Sequence, residues 1–437
     1  MSEKKKVNDH EAIFSVKELH PGKVLLLGLQ HTFAMFGATV LVPILTGLSV
    51  STTLLMAGLG TLFFHLVTKR KVPAFLGSSF AFLGGYAAVA PLIDGKANTE
   101  MLPYACGGVL VAGLVYVVLA ALIKFFGANK VMKFFPPVVT GPIIIAIGLI
   151  LAPSAINNCQ QNWGLALLAL GIIIVCNIWG KGMVKIMPIM LAIVVTYIVA
   201  LVTGNVDLSA ASGKAVVALP NLTLAKFDVS AIITIMPIAL ATMMEHIGDI
   251  SAIGATTGKN YIASPGLHRT LLGDGLATSL SALFGGPANT TYGENTGVLA
   301  LTKVYDPLVM EIAAVVAIIL SFFPFVEALI SSIPTAIIGG VSLILYGMIS
   351  AVGIRNVVEN HIDFANTRNL IIAAVILVSA LGINEIGGIS FNVAGATITL
   401  SGLAIAAIAG ILLNAILPGN DYEFNTEAEH DELTFKV

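Results

Sequence analysis

Charged residues are scarce in this sequence, and their scarcity sets the class of the protein. Only 11% of the 437 residues are charged, whereas 57% are hydrophobic. This number of charges is too small to cover the surface of a soluble domain with a single core. A soluble single-core protein is therefore excluded. Successive apolar runs, each of about 18 residues or more, are joined by short links. The composition therefore predicts an all-α polytopic membrane protein that is surrounded by the lipid bilayer.

Residues that carry metal, nucleotide or covalent chemistry are missing from any useful spacing. The cysteines Cys106, Cys159 and Cys176 form neither a metal-binding nor a redox pattern, so we interpret them as small apolar side chains. No His/Cys/carboxylate spacing typical of zinc and no phosphate-binding loop occurs. No serine, histidine and aspartate have the spacing of a nucleophile and its base. We therefore expect no metal, no cofactor, no nucleic-acid partner and no enzymatic activity.

The two ends of the chain are polar. Lys4-Lys5-Lys6 is not followed at once by an apolar run with a small-residue cleavage site. The first apolar stretch is long enough to cross a bilayer, so we expect no cleaved signal peptide. Residues Asp421 to Val437 are acidic and polar, which is typical of a solvated, disordered tail.

The apolar runs predict about fourteen membrane spans in two halves. Residues 24–204 hold the first seven spans, and residues 229–417 hold the second seven. Residues 205–228 form a polar loop that we interpret as a link between the halves. Residues 1–23 and 418–437 are the terminal segments.

The lysines and arginines predict the orientation of these spans. With both termini in the cytoplasm, nineteen of the 22 basic residues fall in cytoplasmic segments, and only Lys96, Lys214 and Lys226 fall outside. This asymmetry follows the positive-inside rule, and an error of one span would destroy it. We therefore expect a multi-pass protein of the cell membrane with both termini in the cytoplasm.

The two halves echo each other at a nearly constant separation. His31 in span 1 precedes His246 in span 8 by 215 positions, and Phe80 in span 3 precedes Glu294 in span 10 by 214 positions. A unit with an odd number of spans places its two copies in opposite orientations. The pattern therefore predicts an inverted repeat of seven plus seven spans.

One stretch, Gly285 to Gly297, fits no ordinary membrane helix, because it is rich in glycine, asparagine and threonine and carries Glu294. As a continuous helix, Pro287 to Leu301 would span only about 22 Å, short of a bilayer core of about 30 Å. If its first residues are extended and the rest are helical, the segment can cross. Broken segments of this kind hold substrate sites near mid-membrane, so we expect a half-helix N-terminus and a binding residue at Glu294.

Ionisable residues inside the predicted spans are few. Glu245 and Asp249 lie four positions apart, so they share one helix face about one turn apart. Two carboxyl groups so close in a medium of low dielectric resist ionising together, a property that suits a proton carrier. We interpret Asp274 as structural, and His31 and His246 as hydrogen-bonding braces.

Five short motifs are spread over both halves of the chain. They are Gln30-His31-Thr32-Phe33-Ala34-Met35-Phe36-Gly37-Ala38-Thr39, Pro73-Ala74-Phe75-Leu76-Gly77-Ser78-Ser79-Phe80-Ala81-Phe82, Glu245-His246-Ile247-Gly248, Pro265-Gly266-Leu267-His268-Arg269 and Asn289-Thr290-Thr291-Tyr292-Gly293-Glu294-Asn295. Together they resemble the motifs of the nucleobase–ascorbate transporter family (nucleobase:cation symporter 2), and within it those of the bacterial uracil permeases.

This resemblance implies a fold and a division into domains. It implies fourteen spans as an inverted repeat, with short antiparallel strands in spans 3 and 10. It also implies a core domain of spans 1–4 and 8–11 and a gate domain of spans 5–7 and 12–14. A homodimer through the gate domains is a further expectation.

The resemblance also implies a set of site residues. The expected substrate-binding residues, through carboxylates, backbone amides or apolar packing, are Glu245, Glu294, Phe80, Gly293, Ala38 and Tyr346. The expected proton-coupling residues are Glu245, Asp249 and Glu294. The expected supporting residues are Gln30, His31, His246, Ser79 and Asn295.

Uracil suits these groups on chemical grounds. It is a flat, neutral ring with two N–H donors and two carbonyl acceptors. Two carboxylates can accept from the N–H groups, and amides at half-helix N-termini can donate to the carbonyls. Phe80 offers a face for ring packing. We therefore expect a proton-coupled symporter that imports uracil by alternating access.

Other readings stay open at this point. Uracil-permease relatives carry histidine where this chain has Asp249 and purine-carrying relatives carry aspartate, which favours xanthine or another purine. Purine carriers in turn tend to have glutamine where this chain has Glu294. A sulfate or bicarbonate carrier shares the architecture, but an anion site needs a cation where this chain has Glu294. A channel or a sensor would need a continuous pore or a sizeable soluble domain, which the short loops do not offer.

Overall fold

A computed structural model of the chain describes residues 12–93, 96–206, 215–393, 396–419 and 422. Within these residues the chain is mostly helical, because its apolar runs satisfy their own backbone hydrogen bonds as helices. The predicted acidic tail lies outside the described residues, apart from Tyr422. Lys4-Lys5-Lys6 and residues 207–214 of the predicted link also lie outside them.

The described elements follow one another as two similar halves. The first half contains α1 (Pro21–Thr46), α2 (Val50–Val67), β1 (Leu76–Ser78), α3 (Leu83–Val89), α4 (Leu102–Phe126), α5 (Ala128–Met132), α6 (Pro137–Gln160), α7 (Trp163–Trp179), α8 (Met183–Ile186) and α9 (Pro188–Val202). The second half contains α10 (Val229–Ile235), α11 (Ile238–Thr257), α12 (Leu267–Leu283), β2 (Asn289–Thr291), α13 (Gly293–Thr302), α14 (Leu308–Ser321), α15 (Pro324–Ser331), α16 (Thr335–Glu359), α17 (Thr367–Glu385), β3 (Ile389–Val393), β4 (Ala396–Leu400) and α18 (Gly402–Ile416).

Many of these helices have the length and composition of membrane spans. Among the described residues, seven are long and apolar enough to cross a bilayer, counting α10 and α11 as one. The pair α14 and α15 would make an eighth, although the two helices meet at 86°. Helices α7, α9 and α18 are shorter apolar helices of 15 to 17 residues. The set is that of a multi-pass membrane protein.

Two segments, one in each half, are broken. The stretch 285–297 is extended at β2 and becomes helical at Gly293, so the predicted break is present. In the first half, β1 precedes the short helix α3. The strands pair with each other in antiparallel register, with Leu76 opposite Thr291, Gly77 opposite Thr290 and Ser78 opposite Asn289.

The helices pack in two groups. In the first group, α4 packs on α12, and α2 packs on α12 and α14; in the second, α6 packs on α16 and α17, α7 packs on α16 and α9, and α17 packs on α18. Most of these contacts recur with the halves exchanged: α4–α12 matches α2–α14, α7–α16 matches α6–α17, and α7–α9 matches α17–α18. An inverted repeat produces this pattern.

Glycines let the central helices of each group approach closely. A Cβ at Gly275 on α12 would lie 2.3 Å from the Cβ of Tyr116 on α4. A Cβ at Gly148 on α6 would lie 2.2 Å from the carbonyl oxygen of Tyr346 on α16. Helices in apolar surroundings associate largely through such close packing, so larger side chains at these positions would separate the helices.

Helix α15 connects the first group to the second. Glu327 on α15 accepts hydrogen bonds from Ser49 Oγ at 3.0 Å and Ser51 Oγ at 2.5 Å, where α2 begins. α15 also packs in a small apolar cluster with α1 and α2. Just after α15, Ser332 Oγ lies 2.5 Å from the hydroxyl of Tyr197 on α9 in the second group. The connector is therefore fastened to both groups.

The loop between the halves does more than link them, because its described part lies along the first group. The Thr223 N–H donates to the carbonyl of Phe284 at 3.2 Å, and the Lys226 N–H donates to the carbonyl of Pro103 at 2.9 Å. A Cβ at Gly107 on α4 would lie 1.9 Å from the Lys226 carbonyl oxygen. Residues 215–228 therefore cover the end of the first group next to the break that follows α12.

Glu311, in the first turn of α14, joins three parts of the first group. Arg70, in the turn after α2, binds its carboxylate through Nε at 2.6 Å and Nη2 at 2.5 Å. His65 Nδ1 lies 3.4 Å from the same carboxylate, and His65 Nε2 faces the carbonyl of Ala74 at 2.8 Å. The Glu311 side chain is only 9% exposed. Because a buried carboxylate is unfavourable without partners, these contacts stabilise it in place.

Replacing Glu311 by glutamine tests this junction. Glu311→Gln should lower the apparent melting temperature of the purified protein by about 2–5 °C, because Arg70 and His65 lose a shared charged partner. Glu359→Gln is the matched control: Glu359 also binds an arginine, Arg355, at 2.6 Å, but its side chain is 45% exposed. Exposed pairs contribute little to stability. Equal melting temperatures in the two variants would contradict a supporting role for Glu311.

Candidate functional site

The two broken segments meet in a two-stranded ribbon of β1 and β2. All six ribbon residues are buried. Only Tyr292 separates β2 from α13, whose first residue is Gly293, so the N-terminus of this helix lies beside the ribbon. The first N–H groups of a helix lack partners within the helix, and the helix dipole adds partial positive charge there. The start of α13 can therefore receive an acceptor group of a ligand.

The structure brings three of the predicted site acids together. Glu245 and Asp249 lie one turn apart on α11, and Glu294 lies in the first turn of α13. All three residues are half-buried, and their charges act on one another. Within the described residues, no three His, Cys, Asp or Glu side chains are grouped so as to hold a metal ion.

Open space lies next to these acids. A Cβ at Gly248 or Gly297 would meet no atom of the described residues within 4 Å, and one at Gly293 would meet Asp249 Oδ1 at 3.6 Å. Gly248 and Gly293 are also exposed. Glu245, Asp249 and Glu294 therefore each lie within three positions of an exposed glycine of the same helix.

Asp249 is connected to a buried polar chain behind it. Thr291 Oγ1 donates to Asp249 Oδ2 at 3.0 Å and lies 3.3 Å from His246 Nδ1, which lies 3.3 Å from Asp274 Oδ2. His246 Nδ1 therefore lies between the Thr291 hydroxyl and the Asp274 carboxylate. His246 and Asp274 are fully buried. They therefore lie behind the acids and hold β2, away from the open space.

His31 and Asn295 join α1 to α13. Asn295 Nδ2 donates to the carbonyl of His31 at 3.1 Å and lies 3.2 Å from His31 Nδ1. Both side chains are buried, and Gln30, one residue earlier on α1, is half-buried. This contact holds the first turn of α13, which carries Glu294, against α1.

Ala38, Phe80 and Tyr346 belong to one apolar cluster. Ala38 and Tyr346 are buried, and Phe80 is 9% exposed. The N–H of Ser79, just before Phe80, donates to the carbonyl of Ala288 at 2.9 Å and so extends the pairing of the ribbon. Phe80 is therefore held directly beside the ribbon, where the first broken segment turns toward α3.

Tyr346 also borders a cavity of about 290 Å³ between the two helix groups. Gly84 and Ala87 of α3 line it from the first group, and Ser154 of α6 lines it from the second. At its edge, the hydroxyl of Thr234 on α10 donates to the carbonyl of Thr399 on β4 at 2.6 Å. The two groups are thus separated by space here and joined at its edge by a hydrogen bond.

Two residues of the site, Thr291 and Tyr292, were not among the predicted site residues. The hydroxyl of Tyr292 donates to the carbonyl of Ser78 at 2.9 Å. Its ring lies over Gly77, where a Cβ would come within 2.4 Å of the ring. Both residues stand inside the motif at 289–295, but the partners of their side chains lie 42 to 253 positions away. A hydroxyl in an apolar span was the only available signal.

Comparison with known proteins identifies the family of this chain. Residues 22–387 match the model of Xan_ur_permease, described as a permease family. The chain is 45% identical over 414 residues to the uracil permease of Bacillus caldolyticus, covering 91% of this chain and 93% of that protein. It is 40% identical over 448 residues to the uracil permease of Bacillus subtilis, covering 98% and 99%. It is 38% identical over 403 residues to the putative pyrimidine permease RutG of Escherichia coli, covering 90% and 89%.

Solved structures share the fold at much lower identity. The transmembrane domain of the cyanobacterial bicarbonate transporter BicA aligns with a TM-score of 0.62 at 15% identity, covering 92% of this chain and 99% of that domain. SLC26A9 aligns with a TM-score of 0.67 at 12% identity, covering 92% of this chain and 66% of that one. At these identities the likeness shows the fold alone.

The family match runs from α1 into the residues that follow α17, and the named permeases align over nearly the whole chain. The resemblance drawn from the five motifs is therefore confirmed at the level of the family. The chain belongs to the Xan_ur_permease permease family.

Proposed function

We propose that the protein is a proton-coupled symporter that imports uracil across the cell membrane by alternating access. One observation carries the proposal: Asp249, one turn from Glu245 on α11, lies close to the first turn of α13, which carries Glu294, and exposed glycines stand beside these acids. The names of its relatives support the substrate, since two of them, 40% and 45% identical, are uracil permeases. A third is a putative pyrimidine permease.

The site offers uracil a partner for each of its polar groups. Glu245 and Glu294 would each accept a hydrogen bond from a ring N–H, and charge-assisted bonds of this kind are strong. The backbone amides at Phe80 and Gly293 would donate to the ring carbonyls. Ala38, Phe80 and Tyr346 form the apolar cluster beside them, and this cluster would pack on the ring. An analogue without an N–H would leave a carboxylate unpaired, so the site would reject it.

A xanthine or purine symporter is the second candidate, because Asp249 is the residue type that purine-carrying relatives have at this position. The names of the aligned relatives favour uracil. A bicarbonate-type anion carrier shares the fold, but Glu294 puts a negative charge at the start of α13. A carboxylate there repels an anion, so this alternative is disfavoured.

The crowding of the acids supports proton coupling. Three carboxylates that act on one another are unfavourable in a membrane interior when all are ionised. A proton taken up by the Glu245/Asp249 pair relieves this repulsion and permits an occluded, substrate-bound state. Loss of the proton on the cytoplasmic side restores the repulsion and favours release. The Thr291 hydroxyl, 3.0 Å from Asp249 Oδ2, would help to hold this carboxyl group in position.

The helix groups support a fourteen-span architecture of core and gate. The elements can be counted as seven spans in each half, which gives fourteen. The spans of the first half are α1, α2, β1–α3, α4, α6, α7 and α9, and those of the second half are α10–α11, α12, β2–α13, α14, α16, α17 and α18. The first helix group corresponds to a core of spans 1–4 and 8–11, and the second to a gate of spans 5–7 and 12–14. The core would move against the gate, with both termini in the cytoplasm and a homodimer formed through the gates.

Substitution of the two glutamates tests the site. Glu245→Ala and Glu294→Ala should each abolish detectable uracil binding, and the glutamine variants should weaken it about 100-fold, because a charged hydrogen-bond acceptor is lost. Isothermal titration calorimetry on purified protein measures this, with Glu359→Ala as a control that lies away from the site. Micromolar binding in both alanine variants would refute the site. Competition of labelled uracil uptake by xanthine would favour the purine alternative.

Substitution of Asp249 tests the coupling. Uptake of labelled uracil should fall as the outer pH rises, because fewer carriers hold the required proton, and Asp249→Asn should flatten this dependence. A proton ionophore should collapse accumulation, whereas a sodium gradient should have no effect. Asp306→Asn is the control: Asp306 accepts from the Val16 N–H at 2.8 Å, and its variant should keep the wild-type profile. Uptake driven by sodium, or an unchanged profile in Asp249→Asn, would contradict proton coupling.

A further inference from the structure

A threonine hydroxyl bonds the first residue of each strand at the outer edge of the ribbon. At the β1 edge, the Leu76 N–H donates to Thr61 Oγ1 at 2.9 Å, and Thr61 Oγ1 donates to the Leu76 carbonyl at 3.2 Å. At the β2 edge, the Asn289 N–H donates to Thr278 Oγ1 at 3.2 Å, and Thr278 Oγ1 donates to the Asn289 carbonyl at 2.6 Å. Each hydroxyl therefore accepts from and donates to the backbone of one residue.

The two contacts are copies of one another in opposite halves of the chain. Thr61 lies on α2 and Thr278 on α12, and these helices occupy equivalent places in the exchanged contact pattern. Leu76 and Asn289 are each the first residue of their strand. Thr61 is 0% exposed and Thr278 is 1% exposed. The same two hydrogen bonds thus occur at both ends of the ribbon.

The position of the ribbon explains why an edge needs such a contact. Both backbone groups of Leu76 bond Thr61, so they point away from β2, and those of Asn289 likewise point away from β1. An unpaired N–H and carbonyl in an apolar interior are strongly unfavourable. A hydroxyl supplies one acceptor and one donor, which serves both groups at once. Valine has nearly the same shape as threonine but can serve neither.

The closed edges lie next to the amides to which the proposed function assigns substrate contacts. Phe80 stands four residues after Leu76, and Gly293 stands four residues after Asn289. Glu294 follows directly. We call the contacts of Thr61 with Leu76 and of Thr278 with Asn289 the clamps. Only a few residues separate each clamp from the Phe80 or Gly293 amide, so a change at the clamp moves that amide. A shift of about 1 Å is enough to cost a well-aligned hydrogen bond much of its strength.

We propose that Thr61 and Thr278 are positioning residues for substrate: their hydroxyls hold the ribbon so that the amides at Phe80 and Gly293 and the carboxylate of Glu294 stand at binding geometry. This inference rests on the proposed function and deepens it. Neither threonine touches the substrate. Their role is to fix the frame from which both broken segments present their polar groups.

The experiment compares valine and serine variants at both positions. Thr61→Val and Thr278→Val should each raise the Kd for uracil about tenfold, and Thr61→Ser and Thr278→Ser should restore it to within about threefold of wild type. Matched controls lie on the same helices: Thr53 on α2 and Thr270 on α12 are 0% exposed. Their hydroxyls donate within their own helices, to the carbonyls of Ser49 at 2.8 Å and Leu267 at 3.1 Å. Thr53→Val and Thr270→Val should leave the Kd unchanged.

A second measurement does not depend on the ligand. Amide hydrogen exchange, followed by mass spectrometry in peptides covering 75–80 and 288–293, should accelerate in both clamp valine variants and stay at the wild-type rate in both controls. The clamp valine variants could speed up exchange in these peptides while the wild-type protein binds no nucleobase. In that case the proposed function fails, but the two threonine contacts are supported.

Three results would overturn the positioning role. The first is an unchanged Kd in both clamp valine variants of a protein that binds uracil. The second is a loss of binding that serine does not restore. The third is a fall in melting temperature well beyond that of Thr53→Val and Thr270→Val with binding lost in proportion, which would make the threonines general supports of the fold.

Discussion

Backbone polar groups inside a membrane need partners from the protein, and the structure depends on how the two broken segments meet this need. A helix would satisfy the segments internally, but a helix cannot present its central amides to a ligand. The segments instead pair with each other as β1 and β2, and the side chains of Thr61 on α2, Thr278 on α12 and Tyr292, just before α13, bond outward-facing backbone groups of the strands. The paired strands leave the start of α13 free to face the open space beside the acids.

The sequence was informative wherever a residue departed from its apolar surroundings. The break at 285–297, the carboxylate of Glu294 and the Glu245/Asp249 pair are visible because glycine, asparagine and acids are unfavourable in ordinary spans. The closing contacts were not visible. Thr61 and Thr278 look like any hydroxyl residue of a membrane helix, which usually bonds its own helix as Thr53 does. Only the folded chain shows that their partners are strand residues.

The polar connections illustrate the same limit. Residues 205–228 read as a link because polar composition indicates a loop and says nothing about what the loop lies on. In the structure its described part hydrogen-bonds the first helix group, and Glu327 on α15 binds two serines at the start of α2. The fold itself is shared with a bicarbonate transporter at 15% identity. In the proposed function, the choice of substrate therefore rests on a few side chains set into this shared fold, among them Glu245 on α11 and Glu294 at the start of α13.

The pairing of β1 with β2 affects the order in which the protein is synthesised and inserted into the membrane. More than 200 residues separate Leu76 from Thr291, so the ribosome must finish most of the chain before the first strand finds its mate. Until then, the backbone N–H and C=O groups of β1 that pair with β2 lack hydrogen-bond partners, and such groups are unfavourable in the lipid interior. We therefore expect β1 to stay at the membrane–water interface, or within the translocon, until β2 has been synthesised. The ribbon is thus completed late in assembly, after most of the second half has been made.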